Sequence, residues 1–224
     1  MDMMTNKAGE VRFQPPGNEG SVYPERLAPV NHLINELAMR RWSPRAFDES
    51  RPVEREKILS LLEAARWAPS CFNEQPWRYL IFDGSDPEAL RRVQSCLIGF
   101  NSWAAKAPVL ALSVARDSFT GNNRPNRHAQ HDLGLASQNL VLEAVNQGLV
   151  VHQMGGFDGD RARREFQIPD GYSPMAMMAI GYPRRDGLDD LPKELRAMEL
   201  QPRQRKPLGE IAFLGKWNNP YVQR

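Results

Sequence analysis

Ala64-Ala-Arg-Trp-Ala-Pro-Ser-Cys-Phe-Asn-Glu-Gln-Pro-Trp-Arg78 carries a helix into a polar loop and the loop into a strand. Ala64 to Ala68 closes a helical pattern, and Pro69 stops it, having no N–H to donate and a ring that crowds the preceding turn. Ser70 to Gln75 then presents a hydroxyl, a thiol and two amides on a short connection. Pro76 and Trp77 lead into Arg78-Tyr-Leu-Ile-Phe82, which reads as a strand. Polar groups on a loop held between rigid elements suit a binding site. Asn73 and Gln75 would equally serve to satisfy turn backbone, and the residues alone leave both readings open.

Upstream, Pro52 marks the start of the helix that delivers the chain to this loop. Glu54 and Glu56 suit its first turn, and Ile58, Leu61, Leu62 and Ala65 form one stripe. Before it, Val30, Leu33, Ile34 and Leu37 recur at helical spacing and predict a helix to about Arg40. Arg41-Trp-Ser-Pro-Arg-Ala-Phe-Asp48 follows. Two guanidiniums and a hydroxyl so close in sequence fit a proline turn with its arginines in solvent. They also fit a clamp that grips a phosphate dianion through charge-assisted hydrogen bonds. Residues 1–29, rich in Gly, Pro, Asn and charge, read as an extension, flexible or draped on a partner surface.

Downstream, Ser85 or Asp86 caps a helix to about Cys96. Ile98 to Lys106 fits no single pattern, and Trp103 within it reads as core more readily than as a pocket edge. Pro108 to Ala115 is a buried strand, and Phe119 to Arg127 a loop. His128 to Gln147 is the longest helical pattern, with Leu133, Ala136, Leu140, Val141 and Ala144 on one stripe and Leu135 and Leu142 off it. Burial nearly all round is expected for it, and with that a subunit interface; Gly148 is placed to end it in the left-handed conformation. His128, His131 and Asp132 invite a metal, yet no further ligand stands at useful spacing. Leu149 to Met154 is a strand, Gly155-Gly-Phe157 a turn, Asp158 to Phe166 a helix, and Pro174 to Gly181 a second buried strand. Arg184 to Gln201 is a charged linker with a short helix near Lys193 to Met198; the basic group Arg203-Gln-Arg-Lys206 follows.

Size and composition bound the function. A chain of 224 residues supports one substantial core. A net charge of +2 demands neither nucleic acid nor a membrane surface, and no apolar run approaches the ~20 residues of a spanning helix. The N-terminus lacks the apolar core of a signal peptide, and Cys71 and Cys96 form no metal-ligand or C-x-x-C spacing. The cytoplasm is the expected location. No G-x-G-x-x-G, G-x-x-x-x-G-K-S/T or H-E-x-x-H is present.

Ala68 to Trp77 resembles the A-P-S-x-x-N-x-Q-P-W loop of the nitroreductase family, and other segments agree with that family in order. Arg41 to Phe47 is similar to its R-x-S-x-R-x-F opening. Asp132-Leu-Gly-Leu-Ala-Ser-Gln-Asn-Leu140 is similar to its central dimer helix. Gly148-Leu149 with Met154-Gly-Gly-Phe157 is like its glycine turn, Ala179 to Pro183 like its late strand, and Arg203 to Ile211 like its R-x-P-L-x-E-I segment. The resemblance covers about residues 30–215, leaving 216–224 as a tail. It implies an α+β fold with an antiparallel-dominated central sheet flanked by helices, in an intertwined homodimer. It also implies flavin mononucleotide (FMN) as cofactor, NADH or NADPH as co-substrate, and a small electron-poor acceptor such as a nitroaromatic, quinone or activated alkene. On this resemblance Arg41, Trp42, Ser43, Arg45, Arg203 and Arg205 would hold the phosphate and ribityl chain. Pro69, Ser70, Cys71, Asn73 and Gln75 would line the isoalloxazine, and Met154, Gly155 and Gly156 would bring backbone to it. The flavin carries the chemistry, so no catalytic side chain is named. An acidic residue that some members carry is Gly155 here, which bears on the nicotinamide or substrate contact. A specialised branch, such as a reductive dehalogenase or a flavin-consuming enzyme, would share these motifs, as would a non-catalytic flavin-binding dimer. A cysteine enzyme built on Cys71 lacks a nearby histidine in a readable arrangement.

Overall fold

The computed structural model describes residues 3–5, 11–13, 26–184, 188–189 and 191–222. Most of the expected 1–29 extension therefore lies outside the described residues; within it β1 (Met3–Thr5) pairs antiparallel with β2 (Val11–Phe13). The elements that follow are α1 (Glu36–Arg40), α2 (Arg55–Arg66), β3 (Trp77–Phe82), α3 (Pro87–Gln94), β4 (Val109–Arg116) and α4 (Ala129–Asn146). Then come β5 (Val150–Met154), α5 (Gly159–Glu165), β6 (Tyr172–Gly181) and α6 (Lys193–Leu200).

Four strands form one sheet in the order β3-β4-β6-β5, every pair antiparallel. The α+β expectation holds. Strand side chains alternate between faces, and here both faces are buried. Val109, Ala111, Met178 and Ile180 meet Leu61 and Ala65 of α2 and Leu133, Ala136 and Leu140 of α4. Leu110, Leu112, Met177 and Ala179 meet Val93 of α3, Trp103 and Ala162 of α5 on the other side. Ser113 sits at a register shift between β4 and β6, where its hydroxyl both donates to the Ala176 carbonyl and accepts from the Ala176 N–H at 3.1 Å.

Two expectations change. The helix expected from Val30 begins only at Glu36, where the Asn35 side chain accepts from the Leu37 N–H at 2.9 Å. Val30, Leu33 and Ile34 are exposed, so their helical spacing has no surface within the chain to bury against, and a short helix without packing is not stable. Pro52 stands outside α2, which starts after Glu54. Residues 99–106, which fit no single pattern, form a run of 3-10 turns that buries Trp103. Within one chain α4 is buried on one side: Gly134 and Gln138 are exposed, and Leu135 and Leu142 are half-buried. Gly148 adopts φ +75°, as a left-handed helix terminus requires.

Candidate functional site

A basic cluster forms where the segment after α1 meets the segment after α6. Arg41 donates to the Ser43 hydroxyl at 3.3 Å. Arg203 reaches back across the chain, with Nη1 donating to the Arg26 and Met39 carbonyls, both at 2.6 Å, and Nη2 to the Arg41 carbonyl at 2.7 Å. Arg26 returns the contact, donating to the Gln201 carbonyl at 2.5 Å and lying 4.9 Å from the Trp42 ring centroid. Burial and the neighbouring Arg205 lower the pKa of Arg41. Burial, then Arg41, Arg205 and Arg26, lower that of Arg203. Like charges crowded on a half-buried surface disfavour their own ionised state, an arrangement that a bound dianion would relieve.

Arg45 completes this group from below. Its backbone N–H donates to Glu199 of α6, its guanidinium lies 5.9 Å from the Trp103 ring centroid, and its buried Nε has no hydrogen-bond partner. His152 of β5 stands beside it. Its ring lies 4.6 Å from that of Trp103, and its Nδ1 pairs with the Pro44 carbonyl at 2.9 Å. A carbonyl only accepts, so Nδ1 carries the proton. Burial pushes the His152 pKa down to about 4; the Pro44 bond opposes this and Arg45 adds to it. The imidazole is therefore neutral at pH 7 and adds no charge to the cluster.

The loop at 69–76 is braced separately. The Cys71 N–H donates to Asp132 of α4 at 3.0 Å, and the Gln75 N–H to the Ser70 hydroxyl at 3.0 Å. Phe72, Asn73 and Gln75 all have positive φ (53°, 55° and 51°), and Phe72 is 90% exposed. A bulky residue in that region is costly unless its surroundings impose it. Glu74 accepts from both the N–H and the hydroxyl of Thr120, and Phe72 meets Phe119 edge-on at 6.1 Å, so the loop at 119–127 is tied to this one.

The glycine turn follows β5. Gly155 is exposed; the Gly156 carbonyl accepts from Asn101 Nδ2 at 2.8 Å, and a Cβ at Gly156 would meet that nitrogen at 2.7 Å. Glycine is needed there for close packing. Met154 is buried.

One chain thus gathers Arg41, Trp42, Ser43, Arg45, Arg203 and Arg205 near one sheet edge, with the Met154–Gly156 turn on the same edge strand. Pro69, Ser70, Cys71, Asn73 and Gln75 stand at the other edge. His152 is level with Ala179, Leu110 and Phe82, whereas the loop enters β3 at its opposite end, Trp77. Strand spacing and rise put His152 and Trp77 about 14 Å apart across the sheet and about 17 Å along it. The sequence carries no sign of His152, Glu199 or Arg26, and it marks Asp132 as a possible metal ligand rather than as a brace for the loop. Each acts through a contact remote in sequence, and no local pattern marks it.

A profile of the nitroreductase family matches residues 38–99 and 99–182. The chain belongs to the nitroreductase family. It is 32% identical over 148 residues to a putative NADH dehydrogenase/NAD(P)H nitroreductase of Methanothermobacter thermautotrophicus, covering 64% of this chain and 74% of that one. To the putative NAD(P)H nitroreductase YdgI of Bacillus subtilis it is 23% identical, over 68% of this chain and 89% of the relative. A crystal structure described as an oxidoreductase containing FMN superposes with a TM-score of 0.80 at 34% identity, over 88% of this chain and 99% of the other. Among the described residues no helix is long and apolar enough to cross a membrane.

Proposed function

We propose that this nitroreductase-family protein is an FMN-dependent oxidoreductase that passes hydride from NADH or NADPH to a small electron-poor acceptor, a nitroaromatic, quinone or activated alkene. The observation that carries this is the basic cluster: Arg41, Ser43 and Arg205 converge, with Arg41 lowered in pKa by burial and by Arg205. That donor set fits a phosphomonoester, and the relative described as containing FMN supports the identity of the rest of the ligand.

Arg41, Ser43 and Arg205 would hold the phosphate, with Trp42 and Arg45 toward the ribityl chain. Arg203, which the resemblance also assigns to the phosphate, would support it by fastening the two segments that bear the other arginines, its guanidinium donating to three backbone carbonyls. Pro69, Ser70, Cys71, Asn73 and Gln75 would line the ring, and Met154, Gly155 and Gly156 would bring backbone dipoles to it. Bound FMN supplies the two-electron chemistry. The protein's part is to bind, orient and keep water away.

We further propose a homodimer in which the ring-lining loop of one subunit meets the arginine cluster of the other. The opposite-corner placement of these two groups and the open face of α4 support it.

The test is the visible spectrum of purified protein, repeated without oxygen after adding NADH or NADPH. A flavin spectrum that bleaches is the expected result. A flavin spectrum that persists favours a non-catalytic flavin protein or a specialised branch, and none after reconstitution with FMN sinks the reading.

A further inference from the structure

α6 is anchored by a carboxylate. Glu199 is the buried residue of this helix, 1% exposed. One of its oxygens accepts from the Arg45 N–H; the other, Oε2, is buried without a hydrogen-bond partner. An unpaired buried carboxylate oxygen is costly in a stably folded protein and needs a reason. Arg45 on the segment after α1 and Arg26 on the segment before it provide the facing charges. His152 on β5 is neutral, and Trp103 brings no charge. Arg41 and Arg203 line the same segment, while on α6 itself Arg196 pairs with Asp189 at 2.8 Å and Glu194 is exposed. Glu199 therefore places its carboxyl inside a group of cations that, on the function proposed above, must also receive a phosphate.

We propose that Glu199 is a positioning residue of the anion site, fixing the Arg45 backbone while its charge holds down the affinity of the cluster for the FMN phosphate. In the ligand-free protein Glu199 partly neutralises the arginines, at a desolvation cost that disfavours its own ionised form. In the complex its charge and the phosphate compete for the same cations. Burial raises the Glu199 pKa, so the competition is relieved as pH falls through it.

Glu199→Gln separates these roles, since the amide oxygen still accepts from the Arg45 N–H while the charge is gone. Affinities for FMN and for riboflavin, which lacks the phosphate, are to be measured by fluorescence quenching on wild type, Glu199→Gln and Glu199→Ala, with ligand-free Tm alongside. The expected result is a Glu199→Gln protein with a ligand-free Tm no lower than wild type and FMN binding tighter by about tenfold, the effect of one charge about 12 Å away at an effective dielectric near 20. Its riboflavin affinity is unchanged. The FMN gap between wild type and Glu199→Gln narrows as pH falls and Glu199 takes up its proton. Glu199→Ala, which also loses the acceptor, weakens both ligands. Glu199→Gln binding FMN as wild type does, or more weakly, overturns the inference and leaves the flavin reading standing. Wild type that takes up riboflavin and FMN equally overturns the inference and the phosphate site together.

Discussion

At the scale of single residues, the site rests on side chains whose partners are backbone. Arg203 spans three carbonyls from two segments, which a planar guanidinium can do and a lysine ammonium on a flexible stem cannot. Arg203→Lys is expected to destabilise the fold by about 2 kcal/mol, roughly the value of a lost charge-assisted bond, and to weaken FMN retention through displaced neighbours. Urea unfolding and flavin content of the purified protein check it. His152 yields a pH prediction. Its pKa is about 4 in the folded protein against the ordinary value of 6.5. The unfolded chain therefore takes up the proton first, and stability falls as pH drops from 6.5 toward 4, below which the loss is complete. The size of that loss is up to about 3 kcal/mol. His152→Asn, whose amide can still donate to the Pro44 carbonyl, should flatten this slope in unfolding measured across that range.

At the scale of elements, α4 supports the loop as well as the core. Asp132 sits in its first turn and accepts from the Cys71 N–H, holding a loop with three residues at positive φ and no glycine. Asp132→Ala is expected to cost about 1.5–3 kcal/mol and to raise amide hydrogen exchange across 69–76 while leaving the sheet protected. Unchanged exchange there would show that the loop holds its own shape. Much of this architecture is legible in the sequence. β3, β4, β5, α4 and α5 lie within a residue or two of where apolar runs, proline and glycine place them, because burial decides those patterns locally. α1 is not legible, since Val30, Leu33 and Ile34 have the spacing of a helix and no surface within the chain to pack on. The arginines and the polar loop are readable as residue types in a pattern. That Arg203 would fasten backbone, and that Glu199 would sit under Arg45, is not readable: those contacts join residues 154 or more positions apart. Such pairings are set by how segments dock, which no local period encodes.

At the scale of the whole molecule, the homodimer proposed above gives a role to groups that one chain leaves exposed. Trp67, just after α2, is 73% exposed and Trp217 79% exposed, and both Gly134 and Gln138 of the longest helix face outward. A second copy docked along α4 would cover them and would carry the 69–76 loop toward the arginine cluster of its partner, so that assembly and flavin binding become one equilibrium. Gly134 offers a clean test. A Cβ added there meets nothing within 4 Å of its own chain, and removing a glycine from a helix interior favours the helix by about 0.5–1 kcal/mol. Gly134→Glu is therefore expected to leave the isolated subunit folded while placing a bulky charge where a neighbouring helix would approach. Light scattering after size exclusion should then give a mass near 25.5 kDa for the variant against twice that for wild type, with the flavin lost in the same fractions. A variant that stays dimeric with full flavin would move the interface away from α4. One that becomes monomeric and keeps its flavin would show that a single subunit closes the site alone, and the two corners of the sheet would then have to be joined by the ligand itself.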